Sequence, residues 1–160
     1  MKLLYITNAI NGSGGLERVL AVKANYLDET LGYKVHILTL NKGAQQPFYE
    51  FNNNITFHDI KVQGNAINYF LSYKKGIKKV LKSINPAIIS VCDDGLKGLL
   101  FPVFFGTKIP VIYERHVSKQ IEINTEHSSF IQKLKLKLNF MNYGAGKFHK
   151  FVVLTNGNLT

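Results

Sequence analysis

Short apolar runs alternate with longer amphipathic ones from one end of the chain to the other, and this alternation restricts the fold more than any other feature. Lys2–Thr7, Lys34–Leu40, Ile55–Ile60, Ala87–Cys92, Ile109–Glu114 and Lys150–Thr155 read as strands, being brief and rich in β-branched and aliphatic residues. Leu16–Leu31, Ala66–Ile84, Gly95–Phe105 and Ser128–Met141 read as helices. In the first of these, Leu16, Val19, Leu20, Ala24 and Leu27 share a face, and Gly32 suits the C-terminal end. In the second, Ile67, Phe70, Leu71, Ile77, Val80, Leu81 and Ile84 are expected to form the core face, with Lys75, Lys78, Lys79 and Lys82 mainly opposite. Lys133–Leu138 alternates with period two, as an exposed strand would. Ile131, Leu134, Leu138 and Met141 also fit a helix face, and a crossover helix is needed there, so helix is favoured. Strands alternating with helices at this spacing make right-handed βαβ units. The expectation is a Rossmann-like, three-layer α/β domain with a mostly parallel sheet, occupying residues 1–160 as one unit.

Composition supports a packed domain and narrows its setting. Apolar residues make up 46 % of the chain and charged residues 19 %, enough to build a core and too little charge for a disordered chain. No apolar run approaches the ~20 residues of a membrane-spanning helix. The N-terminal segment lacks the length and cleavage site of a signal peptide, so a cytoplasmic location is expected. The single cysteine, Cys92, has no partner for an internal disulfide and reads as a small buried residue at a strand end. The five histidines, at 36, 58, 116, 127 and 149, show no ligand-like spacing, and no metal site is expected.

The charge is unusual in its distribution. Twenty Lys and Arg face ten Asp and Glu, a net charge of +10. From Ile60 to Cys92 there are six lysines and no acid, and from His127 to Thr160 five lysines and no acid. Such a field favours an anionic partner: a lipid surface, a phosphorylated acceptor or nucleic acid. Lys133, Lys135, Lys137, Lys147 and Lys150 lie among Phe130, Phe140 and Tyr143, the mixture of an interfacial patch or of an ordinary solvated face.

In parallel α/β sheets, ligands bind beyond the carboxyl ends of the strands. That rule selects Asn8–Gly15, Asn41-Lys42-Gly43, Cys92-Asp93-Asp94, Glu114-Arg115-His116 and Thr155-Asn156. Gly12-Ser13-Gly14-Gly15 leads from the first strand into a helix. It would either let a phosphate approach backbone N–H groups at the helix start or form a turn that needs positive φ. A dinucleotide fingerprint fails, because Glu17 stands at the third glycine position and the second strand ends in Leu40-Asn41-Lys42, without an acid for a ribose diol. A Walker loop fails as well: Gly146-Lys147 is followed by Phe148. The acidic pair of a phospho-receiver is missing from the end of the first strand.

Lys2-Leu3-Leu4-Tyr5-Ile6-Thr7-Asn8 followed by Gly14-Gly15-Leu16-Glu17-Arg18-Val19-Leu20 resembles the opening of the GT-B retaining glycosyltransferases of the large family-four group. Pro110-Val111-Ile112-Tyr113-Glu114-Arg115-His116 and Phe151-Val152-Val153-Leu154-Thr155 are similar to later strands of the same first domain. The resemblance implies one half of a GT-B fold, the acceptor-side N-terminal domain, with the C-terminal donor-binding domain absent from this chain and needed as its partner. It implies a nucleoside diphosphate sugar as donor, a sugar or lipid-linked acceptor, no permanently bound cofactor, retention of configuration, and a chain that is inactive alone. Gly14, Gly15 and Arg115 would face the donor diphosphate, and Asn8 and Asp93 the acceptor side. His116 and Asp94 would be the catalytic pair, the histidine bonding the transferred sugar; Asp94 before Gly95 equally suits a helix cap. Glu114 and Glu122 have the E-x7-E spacing of the superfamily. In the family that motif belongs to the other domain, so the match here is expected to be chance. Cell-envelope acceptors would place the enzyme at the inner face of the membrane, against an anionic surface and without nucleic acid. The alternative is a non-catalytic basic α/β module that binds nucleic acid or another anionic partner.

Overall fold

The apolar runs do form strands, and all of them align in parallel. The computed structural model describes residues 1–43, 45–92, 98, 101–115, 143–144 and 146–153. Its elements are β1 (Lys2–Ile6), α1 (Gly15–Glu29), β2 (Lys34–Leu40), β3 (Thr56–Ile60), α2 (Ala66–Ile84), β4 (Ile88–Val91), α3 (Phe101–Phe105), β5 (Val111–Arg115) and β6 (Lys150–Val153). The sheet order is β3-β2-β1-β4-β5-β6. Ile6 is thus flanked by Leu38 on one side and Val91 on the other. The order reverses between β1 and β4, and the carboxyl edge at such a switch point is where α/β sheets hold ligands. The helix expected over Ser128–Met141 lies outside the described residues.

Side-chain alternation gives each face of the sheet its own core. Tyr5, Val35 and Ile37 pack beneath Leu20 and Ala24 of α1, together with Ile10, Ile55 and Cys92. On the opposite face, Leu4, Ile6, Leu38, Ile89, Val91, Val111 and Tyr113 meet Tyr73, Ile77 and Ile84 of α2 and Phe101 of α3. Helix α2 sits close to the sheet: a Cβ on Gly76 would lie 2.5 Å from Cγ2 of Ile60. Only glycine permits that approach, at a helix-propensity cost of about 1 kcal/mol relative to alanine. The helix begins at Asn65, whose side chain accepts from Asn68 N–H at 2.9 Å. It ends at Asn85 in the left-handed conformation, followed by Pro86.

One expectation about α2 needs correction. Ile67 and Leu71 are not on the core face; they are 70 % and 56 % exposed. The buried stripe runs back from Ile84 through Val80, Ile77 and Tyr73 to Tyr69, in steps of four, three, four and four residues. The two tyrosines occupy the face that Ile67 and Leu71 were expected to hold. In α1, Val19 is half-buried and Ala21 takes a buried position instead.

Two polar arrangements tie the layers together. Glu114 of β5 is 6 % exposed. Its Oε2 accepts from Lys23 Nζ of α1 at 2.5 Å, and its Oε1 accepts from Ser90 Oγ of β4 at 2.6 Å. Burial, and next the Glu114 carboxylate, push the Tyr5 phenol up, so it remains neutral. On the other face His36 Nδ1 and His58 Nε2 lie 3.1 Å apart, bridging β2 and β3. Their separation of 22 positions in sequence conceals this pairing. His36 Nε2 is buried and meets no partner among the described residues. Both histidines are held below the usual imidazole range. Burial is the main cause for each, with the charge of His58, Lys2 and Lys34 adding to it at His36.

Two stability predictions follow from these pairs. Lys23→Met leaves a buried carboxylate without its cation and is expected to destabilise the fold by about 3 kcal/mol in urea unfolding. Lys23→Met combined with Glu114→Gln should recover most of that loss; equal stability of the parent and the single variant would show the pair to be inert. For the histidines, folded-state values lie below the ~6.5 of an unfolded imidazole, so the unfolded chain binds protons first as pH falls. Their stabilisation is complete above that value and declines as pH drops below it. The urea midpoint should therefore fall between pH 7.5 and pH 5 by more in the parent than in His36→Gln/His58→Gln, when both are measured across that range.

Candidate functional site

The loop from β1 to α1 is braced from several directions. Thr7 N–H continues the strand pairing by donating to the Leu38 carbonyl at 3.0 Å, and Leu40 N–H donates to the Asn8 carbonyl at 3.2 Å. Ile10 is 1 % exposed and anchors the loop in the core beneath α1. The β2–β3 connection lies against it: Phe48 N–H donates to the Ile10 carbonyl at 3.1 Å, and the Tyr49 hydroxyl to the Ser13 carbonyl at 2.9 Å. Asn8 stands exposed at the start of the loop.

Gly14 is the N-cap of α1, with φ −73° and ψ 169° and no side-chain cap. Among the described residues the positive-φ glycines are 32, 43, 64 and 106, so the turn reading of Gly12-Ser13-Gly14-Gly15 does not explain its glycines. Space separates them instead. Cβ atoms on Gly12 and Gly14 would lie 2.9 and 2.6 Å from the carboxylate oxygens of Glu17, whereas one on Gly15 would meet nothing within 4 Å. The start of the helix is therefore occupied in part by the protein's own carboxylate, which suits the partial positive charge there. Glu17 is a residue that sequence reasoning used only to exclude a dinucleotide fingerprint. An acid three residues after an N-cap is the signal that would have found it. Gly15 remains open, at the head of a groove of about 640 Å³ along α1 that is also lined by Arg18, Val19, Val22, Lys23 and Tyr26.

The other candidates divide into three groups. Arg115 ends β5 and is half-buried, at the same carboxyl edge as Asn8, Gly14 and Gly15. Its neighbour Glu114 faces α1, bonded to Lys23 and Ser90 as described, a role unrelated to the spacing with Glu122. Asp93, Asp94 and His116 lie outside the described residues, as do Glu122, Thr155 and Asn156. Asn41-Lys42-Gly43 is held by internal bonds. Lys42 N–H and Gly43 N–H donate to Asp59 at 2.9 and 3.3 Å, and Asn41 exchanges two bonds with the Val62 backbone. Of the basic patch near the C-terminus, Lys147 lies over the exposed Tyr143 ring at 5.5 Å. Among the described residues no three His, Cys, Asp or Glu side chains cluster as a metal site, and no helix is long and apolar enough to cross a membrane.

Comparison with known proteins supplies the family. No curated protein matches the sequence. Three solved structures share the fold. Sucrose-phosphate synthase from Thermosynechococcus elongatus aligns at a TM-score of 0.64 and 10 % identity, over 94 % of this chain and 42 % of its own. The crystal structure of MurG from Acinetobacter baumannii (TM-score 0.56, 16 % identity, 98 % and 42 %) and the structure of the lipopolysaccharide outer core galactosyltransferase WaaB in its apo form (0.55, 14 %, 92 % and 44 %) align similarly. The chain thus spans less than half the length of each. A family model described as glycosyl transferase 4-like matches residues 19–145, beginning just beyond the glycine-rich loop. With more than half of its length matched, on a parallel sheet of the GT-B type, the chain belongs to the glycosyl transferase 4-like family.

Proposed function

We propose that this domain is the acceptor-side half of a two-domain, retaining transferase that moves a sugar from a nucleoside diphosphate sugar to an acceptor hydroxyl. The acceptor belongs to a cell-envelope polysaccharide or a glycolipid, handled at the cytoplasmic face of the membrane. A second domain contributes most donor contacts, and the present chain alone does not turn over. The observation that carries this reading is Gly15. It lies at the first position of α1, outside the positive-φ glycines, with nothing within 4 Å of a Cβ among the described residues, so neither its backbone conformation nor packing among those residues requires a glycine there. Close approach by a ligand would favour one, which supports this reading.

In this reading the departing diphosphate develops negative charge, which N–H groups at the start of α1 stabilise. Arg18, three residues further along the same groove, and Arg115 at the end of β5 add cations. The Glu17 carboxylate must swing away as the diphosphate arrives, since two anions at one helix start repel each other. His116 bonds the transferred sugar, Asn8 and Asp93 meet the acceptor, and Asp94 orients its hydroxyl. The diphosphate itself helps to remove the acceptor proton, so no dedicated protein nucleophile is needed.

Gly15→Asp in the two-domain enzyme is expected to lower kcat/KM by about 100-fold, the scale of losing a preorganised charge-stabilising contact. Its thermal midpoint should match the parent, because the added side chain meets open space. Full activity in a folded Gly15→Asp enzyme would remove the loop from the reaction. A measurable transfer rate from the 160-residue chain alone would refute the need for a second domain.

A further inference from the structure

The connection from β2 to β3 is clamped along its length, yet it leaves one aromatic ring in solvent. Phe48 N–H donates to the Ile10 carbonyl at 3.1 Å, and the Tyr49 hydroxyl donates to the Ser13 carbonyl at 2.9 Å. Asn25 Nδ2 of α1 donates to the Glu50 carbonyl at 3.0 Å, and its Oδ1 accepts from Asn52 N–H at 2.9 Å. Phe51 and Phe57 pack edge-to-face at 5.3 Å and are half-buried. Phe48, among these anchors, is 60 % exposed, with the Tyr49 ring edge-to-face beside it at 5.1 Å. Its backbone is tied to the β1–α1 loop, so the ring is presented at the carboxyl edge beside the glycine-rich helix start. The surroundings are polar and uncharged. In a chain of net charge +10, no charged residue occurs from Thr7 to Leu16 or from Gly43 to Tyr49, the two segments that meet here. Asn8, Asn11, Ser13, Gln45 and Gln46 are exposed within them. The charged residues at their ends, Glu17, Lys42 and Glu50, include two acids, and the Lys42 ammonium lies over the Phe57 ring at 4.7 Å.

We propose that Phe48 determines acceptor specificity: it is the stacking surface for an uncharged sugar ring, whose hydroxyls bond to the amides and hydroxyl around it. A pyranose presents a patch of polarised C–H groups on one face, and the electron-rich face of a phenylalanine attracts them. Its rim carries hydroxyls that both donate and accept, which amide and hydroxyl side chains match and charged ones do not. An anionic ring, a uronate or a sugar phosphate, gains no cation from either segment and meets the acids at their ends. The clamped backbone supplies preorganisation, since a loop already fixed loses little freedom when a ligand settles on it. The inference rests on the proposed transfer reading, because it names the ring that the acceptor presents. Its test uses neither donor nor turnover. Sugar binding in an enzyme that transfers nothing would therefore sink the transfer reading alone, and absent binding in an active enzyme would sink this inference alone.

The test is saturation-transfer NMR on the full chain, with methyl glycosides of glucose, galactose, mannose and N-acetylglucosamine as neutral probes and glucuronic acid and glucose 6-phosphate as anionic ones. At least one neutral glycoside is expected to receive saturation at its ring C–H protons, above both anionic probes. Phe48→Ala should weaken that binding by about 5-fold, the scale of one aromatic contact. Phe48→Tyr should keep it. Phe48→Leu should lose it as the alanine variant does, because leucine retains apolar surface without a flat ring. The ring is exposed and the bond to Ile10 uses the backbone, so thermal midpoints of all three variants should match the parent. Binding unchanged in Phe48→Ala, binding equal in Phe48→Leu and the parent, stronger transfer to the anionic probes, or no transfer to any neutral glycoside overturns the proposal.

Discussion

A parallel sheet has no solvent-facing side to spare, and β1 bears that constraint most heavily. It is hydrogen-bonded to β2 and β4, and its residues feed both cores, Leu4 and Ile6 on one face and Tyr5 on the other. A strand in that position must be apolar at every step. The crossovers that its parallel neighbours require bring α1 over one face and α2 and α3 over the other. From that one placement follow the reversal of strand order beside β1 and the loop that opens from its carboxyl end. The features proposed to act on a ligand depend on it.

Much of this architecture was legible because two periodicities, 2.0 and 3.6, differ enough to separate strand from helix. Helix α2 was read with the bounds it has, since Asn85-Pro86 is an unambiguous stop and the apolar stripe before it is long. The error within it is instructive. Tyr69 and Tyr73 carry hydroxyls and read as ambivalent, whereas Ile67 and Leu71 read as core. Geometry chose the residues in step with Ile77 and Ile84, and hydrophobicity alone could not supply that phase. The shorter strands differ by a residue or two at their ends: β1, β3 and β4 are shorter than read, and β5 starts two residues later and ends one residue later.

Contacts between distant residues were the illegible part. Lys23 and Glu114 are 91 positions apart, and nothing local to either marks them as a pair. A buried carboxylate at a strand end would read as a candidate catalyst, yet here it fastens a helix to two strands through Lys23 and Ser90. The same holds for His36 and His58, which spacing placed in no group and which strand register brings together. At the candidate site the sequence singles out Gly14 and Gly15, and the backbone angles remove the positive-φ explanation for them. The carboxylate folded over Gly12 and Gly14 became visible only in three dimensions.

That carboxylate changes the character of the helix start. A site furnished with a tethered counter-ion is already half neutralised, so an incoming anion is judged by exchange rather than by attraction. A singly charged guest swaps one negative group for another and gains little. A guest carrying two or more charges on adjacent groups leaves a surplus after the exchange. If the helix start receives the proposed diphosphate, Glu17 sets a threshold on charge density, fixed by the length of one side chain and the distance it spans back to its own loop.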